Sequence, residues 1–388
     1  METTTFPPAI SLMLLIATLE GLVLGFYGTC VDELGAFFLV DEVKLGSLAS
    51  LYYGAAIPGV LLALQVVSRF GMGRTLSVAL VFQSLSLLLF SSSRSFPLAG
   101  ALYAMVGLAY GLLINSPVGY MNYTDGEQGA KHLNWFYGAF ALGLLLGPLL
   151  SGTLLLWNYG WQVPYRMVAL CAVVLFLCLR MVQWRPVPLA QASLPWKDLS
   201  GAYWCLVLSF AAYSVTEAAL SIWIGKFMSL VYGTKHSHYA LTVFWTGMIL
   251  GRFLIRFLAH RVSLKRYILL SCAVATVLLF SLGLWSTFFA ATAIVGLVAL
   301  VLSGVGPGFI SLLGVAGSGQ ATALAISLAT VAVAVGMPAV AYFAGLVGFR
   351  NVLGVAAIPL MVPLYVLLIP TSLKARGFDR SAATPKDS

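Results

Sequence analysis

The stretch Ala211–Gly225, AAYSVTEAALSIWIG, is apolar along its length except for one carboxylate, Glu217. A run of this composition is typical of a helix that crosses a membrane. A charged side chain at membrane depth costs about 2.5–3.5 kcal/mol on insertion scales, so it faces protein or water rather than lipid. By default such a residue indicates a functional site, and Glu217 is therefore the starting point for the rest of the chain.

The composition of the whole chain is that of a polytopic helical membrane protein. Of the 388 residues, 61% are hydrophobic and 9% are charged, whereas soluble domains have about 25% charged residues. The apolar runs recur from end to end and do not alternate with polar residues, which excludes a β-barrel. The net charge of +9 does not indicate nucleic-acid binding, because the basic residues fall mostly between the apolar runs.

Twelve membrane spans are predicted, and a polar segment at Gln183–Ser200 divides them six and six. Three prolines in that segment oppose a continuous helix. We therefore expect an all-α membrane protein with an N-terminal six-helix bundle at 1–182, a cytoplasmic linker at 183–199 and a C-terminal six-helix bundle at 200–388. The predicted spans are residues 8–31, 44–67, 75–93, 97–121, 131–156, 164–182, 200–225, 236–258, 267–284, 287–312, 318–345 and 350–372.

The distribution of Lys and Arg predicts that both termini lie in the cytoplasm. With this orientation, fourteen of the 21 basic residues fall in inner loops or the tail, six fall on the outer side, and Arg252 lies within span eight. Loops rich in Lys and Arg remain on the cytoplasmic side of a membrane. We expect a multi-pass protein of an inner or plasma membrane.

The two halves of the chain repeat each other. The basic loop Ser68–Arg74 follows span two, and His260–Arg266 follows span eight, 192 residues later. Pro117 and Pro307 are 190 residues apart, as are Pro148 and Pro338. A parallel repeat of six spans is the architecture of the major facilitator superfamily, in which two halves surround a midplane site and rock against each other.

The loop Ser68–Arg74, SRFGMGR, also resembles the signature loop of that superfamily, Gly-x-x-x-Asp-Arg-x-Gly-Arg-Arg, and Gly251–Arg261 is its second copy. The signature Asp is replaced by Ser68 and His260, so the inner latch that this Asp helps to form must be weaker or built differently. The resemblance implies that basic residues near these loops gate the inner end. They are Arg69, Arg74, Arg252, Arg261 and Arg266, with a structural role as the alternative for Arg252.

Residues 213–266 resemble, within the superfamily, the fucose–galactose–glucose:proton symporter branch. The similar features are an acid followed by Trp223, then Phe244-Trp245-x-Gly247, then Gly251-Arg252, and in span five Leu133–Tyr137 and Gly147-Pro148. Tyr137 stands where the branch often has His. The resemblance implies proton symport of a sugar.

Glu20 is the predicted proton-coupling residue. It lies about twelve residues into span one, roughly 18 Å from the inner face at 1.5 Å per residue, which is near mid-bilayer. A low dielectric favours the neutral form of a carboxylate, as reversible protonation requires. A structural acid that pairs with a nearby cation, Tyr or Asn is the alternative.

Glu217 lies about 25 Å along span seven by the same rise, towards the outer mouth. It is predicted to bind a substrate hydroxyl or cation, or to pair with an outer residue such as Lys226 or Lys44 as a gate. A static ion pair is the alternative. The repeat maps Glu217 onto Gly25, so the two acids are not symmetry mates.

Amide and aromatic side chains in several spans fit a neutral polyhydroxylated substrate, because amides donate and accept hydrogen bonds and aromatic faces stack on sugar rings. The alternative for each aromatic is packing in the core or at the membrane interface. Besides Glu217, the predicted substrate-binding residues are Asn115, Asn134, Tyr137, Tyr53, Trp223 and Trp245.

The chain has no phosphate-binding loop, no paired carboxylates at hydrolase spacing and no cysteine pattern for a metal. We therefore expect no enzyme activity, no cofactor and no metal. The expected partners are a small-molecule substrate, a proton or a sodium ion, and membrane lipid, with no nucleic acid, and the carrier is expected to be a monomer.

The leading functional hypothesis is a secondary transporter of a small polar organic solute, a sugar above all, working by alternating access with proton coupling or by facilitation. The alternative is an exporter of drugs, siderophores or amphipathic metabolites by proton antiport, which the aromatic and Met content of the spans would suit. A transport-inactive scaffold or sensor would carry large soluble domains, which the composition does not predict.

Overall fold

A computed structural model describes residues 7–124, 128–186, 199–258, 262–316 and 319–368, and the regular elements in these ranges are helices. The helices of the N-terminal bundle are α1 (Pro8–Phe38), α2 (Glu42–Phe70), α3 (Met72–Ser92), α4 (Phe96–Thr124), α5 (Gly129–Leu156) and α6 (Gln162–Leu179). Those of the C-terminal bundle are α7 (Gly201–Tyr232), α8 (His238–Leu258), α9 (Leu264–Ser281), α10 (Phe288–Leu302), α11 (Val305–Ala316), α12 (Gly319–Val347), α13 (Val352–Ala357) and α14 (Met361–Leu368).

The predicted all-α polytopic fold is confirmed. Within the described ranges, eleven segments are long and apolar enough to cross a membrane. Helix α8 occupies the predicted place of span eight but is not among the eleven. Span ten consists of α10 and α11, and span twelve consists of α13 and α14 with short 3-10 turns.

Helices α1 and α7 each continue seven residues beyond the end that hydropathy predicts. Each is followed by a residue in the left-handed conformation, Leu39 (φ 55°) and Gly233 (φ 61°), whose N–H caps a carbonyl of the last turn. The last turns contain the charged residues Asp32 and Lys226, so a hydropathy criterion ends the spans too early. Asp32 and Lys226 lie in these extensions, at the same end of the bundles, where they form an ion pair.

Each bundle is held together by close contact between helix backbones. Helix α1 packs along α5, where a side chain in place of Gly21 would collide with backbone atoms of Gly143 and Leu144. Helix α2 packs along α4 in the same way, with Gly59 against Gly111. Small residues allow membrane helices to approach closely and gain van der Waals contact.

Among the described residues, the main contacts between the two bundles are those of α1 with α7, α2 with α12, and α5 with α8. The predicted two-fold relation makes α2 equivalent to α8 and α5 equivalent to α12. It therefore converts the second pair into the third. The named contacts of these pairs are Gly28 against Ser221, Gly46 against Met337 and Pro338, and Gly152 against His238. They lie toward the end of the bundle that holds the turn at residues 39–41, called the outer end below after the predicted orientation, and the end that holds Gly71 is called the inner end.

Candidate functional site

Glu20 lies in the middle of α1, fully buried at the centre of the N-terminal bundle. The amide of Gln83 on α3 lies beside it. Among the described residues, neither carboxylate oxygen of Glu20 has a hydrogen-bond partner of normal geometry, and neither polar atom of the Gln83 amide has one. Buried polar groups are normally paired, so this pair of groups is an exception that calls for a function.

A row of tyrosine rings leads away from Glu20 towards the outer end. The ring centroids of Tyr52 and Tyr103 are 5.0 Å apart, and those of Tyr103 and Tyr27 are 5.4 Å apart. The Tyr27 hydroxyl donates a 2.6 Å hydrogen bond to the Leu45 carbonyl, which joins α1 to α2. A cavity of about 10 Å³ lies among these rings and Ser221 of α7. It is about large enough for one water.

Glu217 is half-buried on α7, and it has a different set of neighbours from Glu20. The phenol of Tyr213, one helical turn earlier, and the guanidinium of Arg252 on α8 both act on its carboxylate. Tyr53 of α2 is also within electrostatic range of Glu217. The second acid is therefore accessible and lies near a cation, whereas the first is sealed among neutral groups.

Tyr110 of α4 links the surroundings of the two acids. It lies close enough to Glu20 and to Glu217 to interact electrostatically with both. Its ring centroid is 5.4 Å from that of Tyr52. Tyr110 therefore connects the surroundings of Glu20, inside the N-terminal bundle, with those of Glu217 on α7.

The remaining predicted substrate-binding residues divide into accessible and packed groups. Asn134 and Tyr137 on α5 are exposed towards the inner end, and Tyr137 is 44% exposed. Asn115 is half-buried and donates a hydrogen bond to the Gly111 carbonyl of its own helix. Trp245 is 6% exposed and packs edge-on against the ring of Phe244.

Trp223 is another predicted binding residue that is packed in the structure. It is fully buried, and its ring centroid lies 5.1 Å from that of Phe349, at the outer end. Its indole nitrogen has no hydrogen-bond partner among the described residues. This geometry agrees with the alternative given for each aromatic residue, which is packing in the core.

The predicted gating arginines lie towards the inner end. Arg69, Arg74, Arg252 and Arg266 are exposed, and Arg69 stacks over the ring of Phe70, with 5.6 Å between the guanidinium carbon and the ring centroid. Arg261 lies outside the described residues, as does His260. Ser68, in place of the signature Asp, donates a hydrogen bond to the Gln65 carbonyl of its own helix and forms no charged latch.

An ion-pair cluster joins the bundles at the outer end. Lys226 Nζ of α7 lies 2.8 Å from Asp32 Oδ1 of α1 and 3.4 Å from Glu42 Oε1 of α2. The suggestion that Lys226 pairs with Glu217 is therefore wrong, because Lys226 is nine residues further along α7 and its charge is taken by the two outer acids.

Sequence reasoning missed Gln83 and Tyr213. Gln83 is the one amide side chain in α3. A single polar side chain in an apolar span could have been noticed in the sequence, as Glu20 was in α1. Tyr213 is four residues before Glu217, a spacing that places both on one helix face. Among the described residues, no group of His, Cys, Asp or Glu side chains could hold a metal ion.

Comparisons with known proteins identify the family to which the chain belongs. The sequence profile described as Major Facilitator Superfamily matches residues 3–318. The glucose/mannose transporter GlcP of Bacillus subtilis (strain 168) is 25% identical over 271 residues, which cover 64% of this chain and 67% of that protein.

Two solved structures share the fold at low identity. The crystal structure of a D-xylose–proton symporter has a TM-score of 0.73 at 16% identity, covering 92% of this chain and 97% of that one. The nucleoside transporter NupG has a TM-score of 0.73 at 14% identity, covering 92% and 98%. From the profile match and the shared fold, the chain belongs to the major facilitator superfamily and is a membrane transporter.

Proposed function

We propose that the carrier moves a sugar across the membrane together with a proton, that Glu20 takes up and releases this proton, and that the sugar binds between Glu20 and Glu217. Both termini would lie in the cytoplasm. The proposal rests on the contrast between the two acids and is supported by the similarity to a glucose/mannose transporter.

The observation that carries the coupling role is the environment of Glu20. An ionised carboxylate that is buried without a cation or full hydrogen bonding is costly, and protonation removes the cost. Glu20 is fully buried, and the neighbours described for it, Gln83, Tyr52 and Tyr110, are all neutral. Proton uptake therefore stabilises the closed surroundings of this carboxyl, and proton release requires that water reach it.

The polar and aromatic groups near Glu217 and on α5 suit a polyhydroxylated solute. Glu217 offers an accepting carboxylate, Asn134 offers an amide, and Tyr110, Tyr53 and Tyr137 offer ring faces with a hydroxyl at the edge. Hydroxyl groups of a sugar need both donors and acceptors, and its C–H faces pack on aromatic rings. A strongly apolar solute would leave these polar groups unpaired.

The conformation described is closed at the outer end by Lys226, Asp32 and Glu42, while Asn134 and Tyr137 are exposed towards the inner end. In alternating access, the two bundles rock about the site so that one end opens as the other closes. We infer that this conformation is the one that delivers solute to the inner side.

Uptake of radiolabelled sugars into proteoliposomes, with and without a pH gradient, tests the proposal. We expect accumulation of at least one hexose or pentose only when the outside is acidic. Sugar uptake that only equilibrates the two sides, with or without a pH gradient, would replace this proposal by the facilitative alternative. Uptake of no sugar combined with extrusion of an amphipathic compound would replace it by the exporter alternative.

A further inference from the structure

A groove of about 940 Å³ lies on the membrane-facing side of the N-terminal bundle, away from Glu20 and Glu217. It is bounded by α2, α3, α4 and α6 and begins at the inner end. Its apolar wall is exposed, with Val78 at 69%, Leu85 at 55% and Phe70 at 53%. A cavity of this size is in the range of sites that hold drug-sized ligands, roughly 300–1,000 Å³.

Two arginines lie at the inner-end mouth of the groove. Arg74 lies in the first turn of α3, and Arg180 follows the last residue of α6, with its guanidinium 5.2 Å from the ring centroid of Phe176. The carboxylates of the described residues are far from this mouth. Glu20 is buried inside the N-terminal bundle, Glu217 lies on α7, and the others belong to the outer end: Asp32, Glu33, Asp41 and Glu42. The mouth therefore has positive charge that the described part of the protein does not neutralise.

Trp184 closes one side of the same mouth. Its indole packs so closely on Gly73 that a side chain there would come within 2.6 Å of Cδ1. The indole Nε1 is buried and has no hydrogen-bond partner among the described residues. Tryptophan is enriched where the lipid headgroups meet the hydrocarbon, so Trp184 marks that level of the membrane.

The length of the groove matches one lipid chain. From Arg74 to Leu85 is eleven residues of helix, or roughly 17 Å at 1.5 Å per residue. Half of the hydrocarbon thickness of a bilayer is about 15 Å. An acyl chain whose headgroup rests at the mouth would therefore follow the apolar wall to about the middle of the bilayer.

We propose that this groove is a binding site for an anionic phospholipid, with the phosphate between Arg74 and Arg180 and one acyl chain along Val78 and Leu85. Arginine forms paired hydrogen bonds with phosphate. Basic pockets between membrane helices at the headgroup level select anionic lipids. The inference does not depend on which solute is carried.

Native mass spectrometry of the purified, delipidated full-length carrier tests the site. The protein is titrated with phosphatidylglycerol and, separately, with phosphatidylcholine of the same chains. For the first lipid bound, we expect preference for phosphatidylglycerol. The double variant Arg74→Gln/Arg180→Gln should bind that lipid about 30-fold more weakly, since each basic residue at the surface contributes about fivefold.

Arg94→Gln/Arg350→Gln is the matched control, because it removes the same charge from exposed positions at the outer end. Its affinity for phosphatidylglycerol should be unchanged. A second variant, Val78→Trp, fills the apolar wall and should reduce binding while both arginines remain. Equal binding of the two lipids by the unmodified carrier, or equal losses in the Arg74/Arg180 and Arg94/Arg350 pairs, would overturn the proposal.

A photoreactive phosphatidylglycerol with the reactive group in its acyl chain gives an independent readout. We expect the lipid to cross-link to α3 near Val78 and to α6 near Phe176. Cross-links confined to other helices would overturn the placement even if the affinities behaved as expected.

Discussion

Lys226 Nζ lies 2.8 Å from Asp32 Oδ1 and 3.4 Å from Glu42 Oε1, so one cation of the C-terminal bundle is joined to two helices of the N-terminal bundle. All three side chains are partly exposed, between 20% and 36%. The cluster stabilises the conformation that is closed at the outer end, and it must separate when that end opens.

Lys226→Gln should shift the carrier towards the outward-open state. An exposed ion pair contributes up to about 1 kcal/mol, so we expect a change of about fivefold in the populations. Spin labels at Arg94 and Leu284, exposed at the outer end of the two bundles, would show a larger share of long distances, in a background lacking the native cysteines.

Lys235→Gln is the control for that experiment, because Lys235 is an exposed cation near the same end. It should leave the distance distribution unchanged. If both variants shift the distances equally, the effect comes from net charge, and the ion-pair cluster does not hold the outer end closed.

Glu20→Gln should uncouple the carrier. Glutamine has nearly the same shape but cannot exchange a proton, so sugar-driven acidification inside proteoliposomes is expected to fall to the level of protein-free liposomes while sugar exchange across the membrane persists. A pH-sensitive dye trapped in the vesicles measures this. Glu33→Gln, an exposed outer acid, should behave like the unmodified carrier. Retained acidification in Glu20→Gln would rule out the coupling role.

Glu217→Gln should weaken substrate binding and leave coupling intact. A hydrogen bond to a charged group contributes about 1.5–3 kcal/mol, so we expect the KM for the sugar to rise about 10- to 100-fold. Transport kinetics at saturating sugar, with and without a pH gradient, separate the two effects. If KM is unchanged and the gradient no longer matters, the roles of the two acids are exchanged.

Gly28→Ala should prevent full closure at the outer end. A side chain at position 28 collides with the Ser221 carbonyl of the other bundle, and this clash is relieved when the bundles separate. Gly107→Ala instead collides with the backbone of Tyr52 in the same bundle, where no motion relieves it. We expect Gly28→Ala to keep its Tm and lengthen the outer distances, and Gly107→Ala to lower Tm.

Gly138→Ala completes that comparison, because nothing lies within 4 Å of the atom it adds. It should change neither Tm nor the distances. A fall in Tm for Gly28→Ala as large as that for Gly107→Ala would mean that the contact with Ser221 is a permanent part of the fold.

The fold was predictable because each span depends on a local property, apolar length, that sequence reports directly. The starts of the helices agree within three residues, as with α5 at Gly129 and α9 at Leu264. The ends of α1 and α7 were predicted too early, since a helix continues until a cap such as Leu39 or Gly233 stops it, whether or not its last turns are apolar.

The site was predictable only in part. A carboxylate in an apolar run is conspicuous, so Glu20 and Glu217 were found. Which groups surround them depends on contacts between helices far apart in sequence. The neutral cage of Gln83 and Tyr52 around Glu20, and the packing of Trp223 against Phe349, follow from helix rotation and crossing, which the span pattern does not specify.

Backbone atoms form part of the contact between the bundles: Gly28 faces the Ser221 carbonyl, and the Ser50 hydroxyl donates to the Ala334 carbonyl. At these two contacts the bundles separate without withdrawing a large side chain from a pocket. The ion-pair cluster then sets how often the outer end opens. Since ions screen exposed charges within about 10 Å at 0.1 M salt, we expect turnover to respond to the ionic strength of the outer medium.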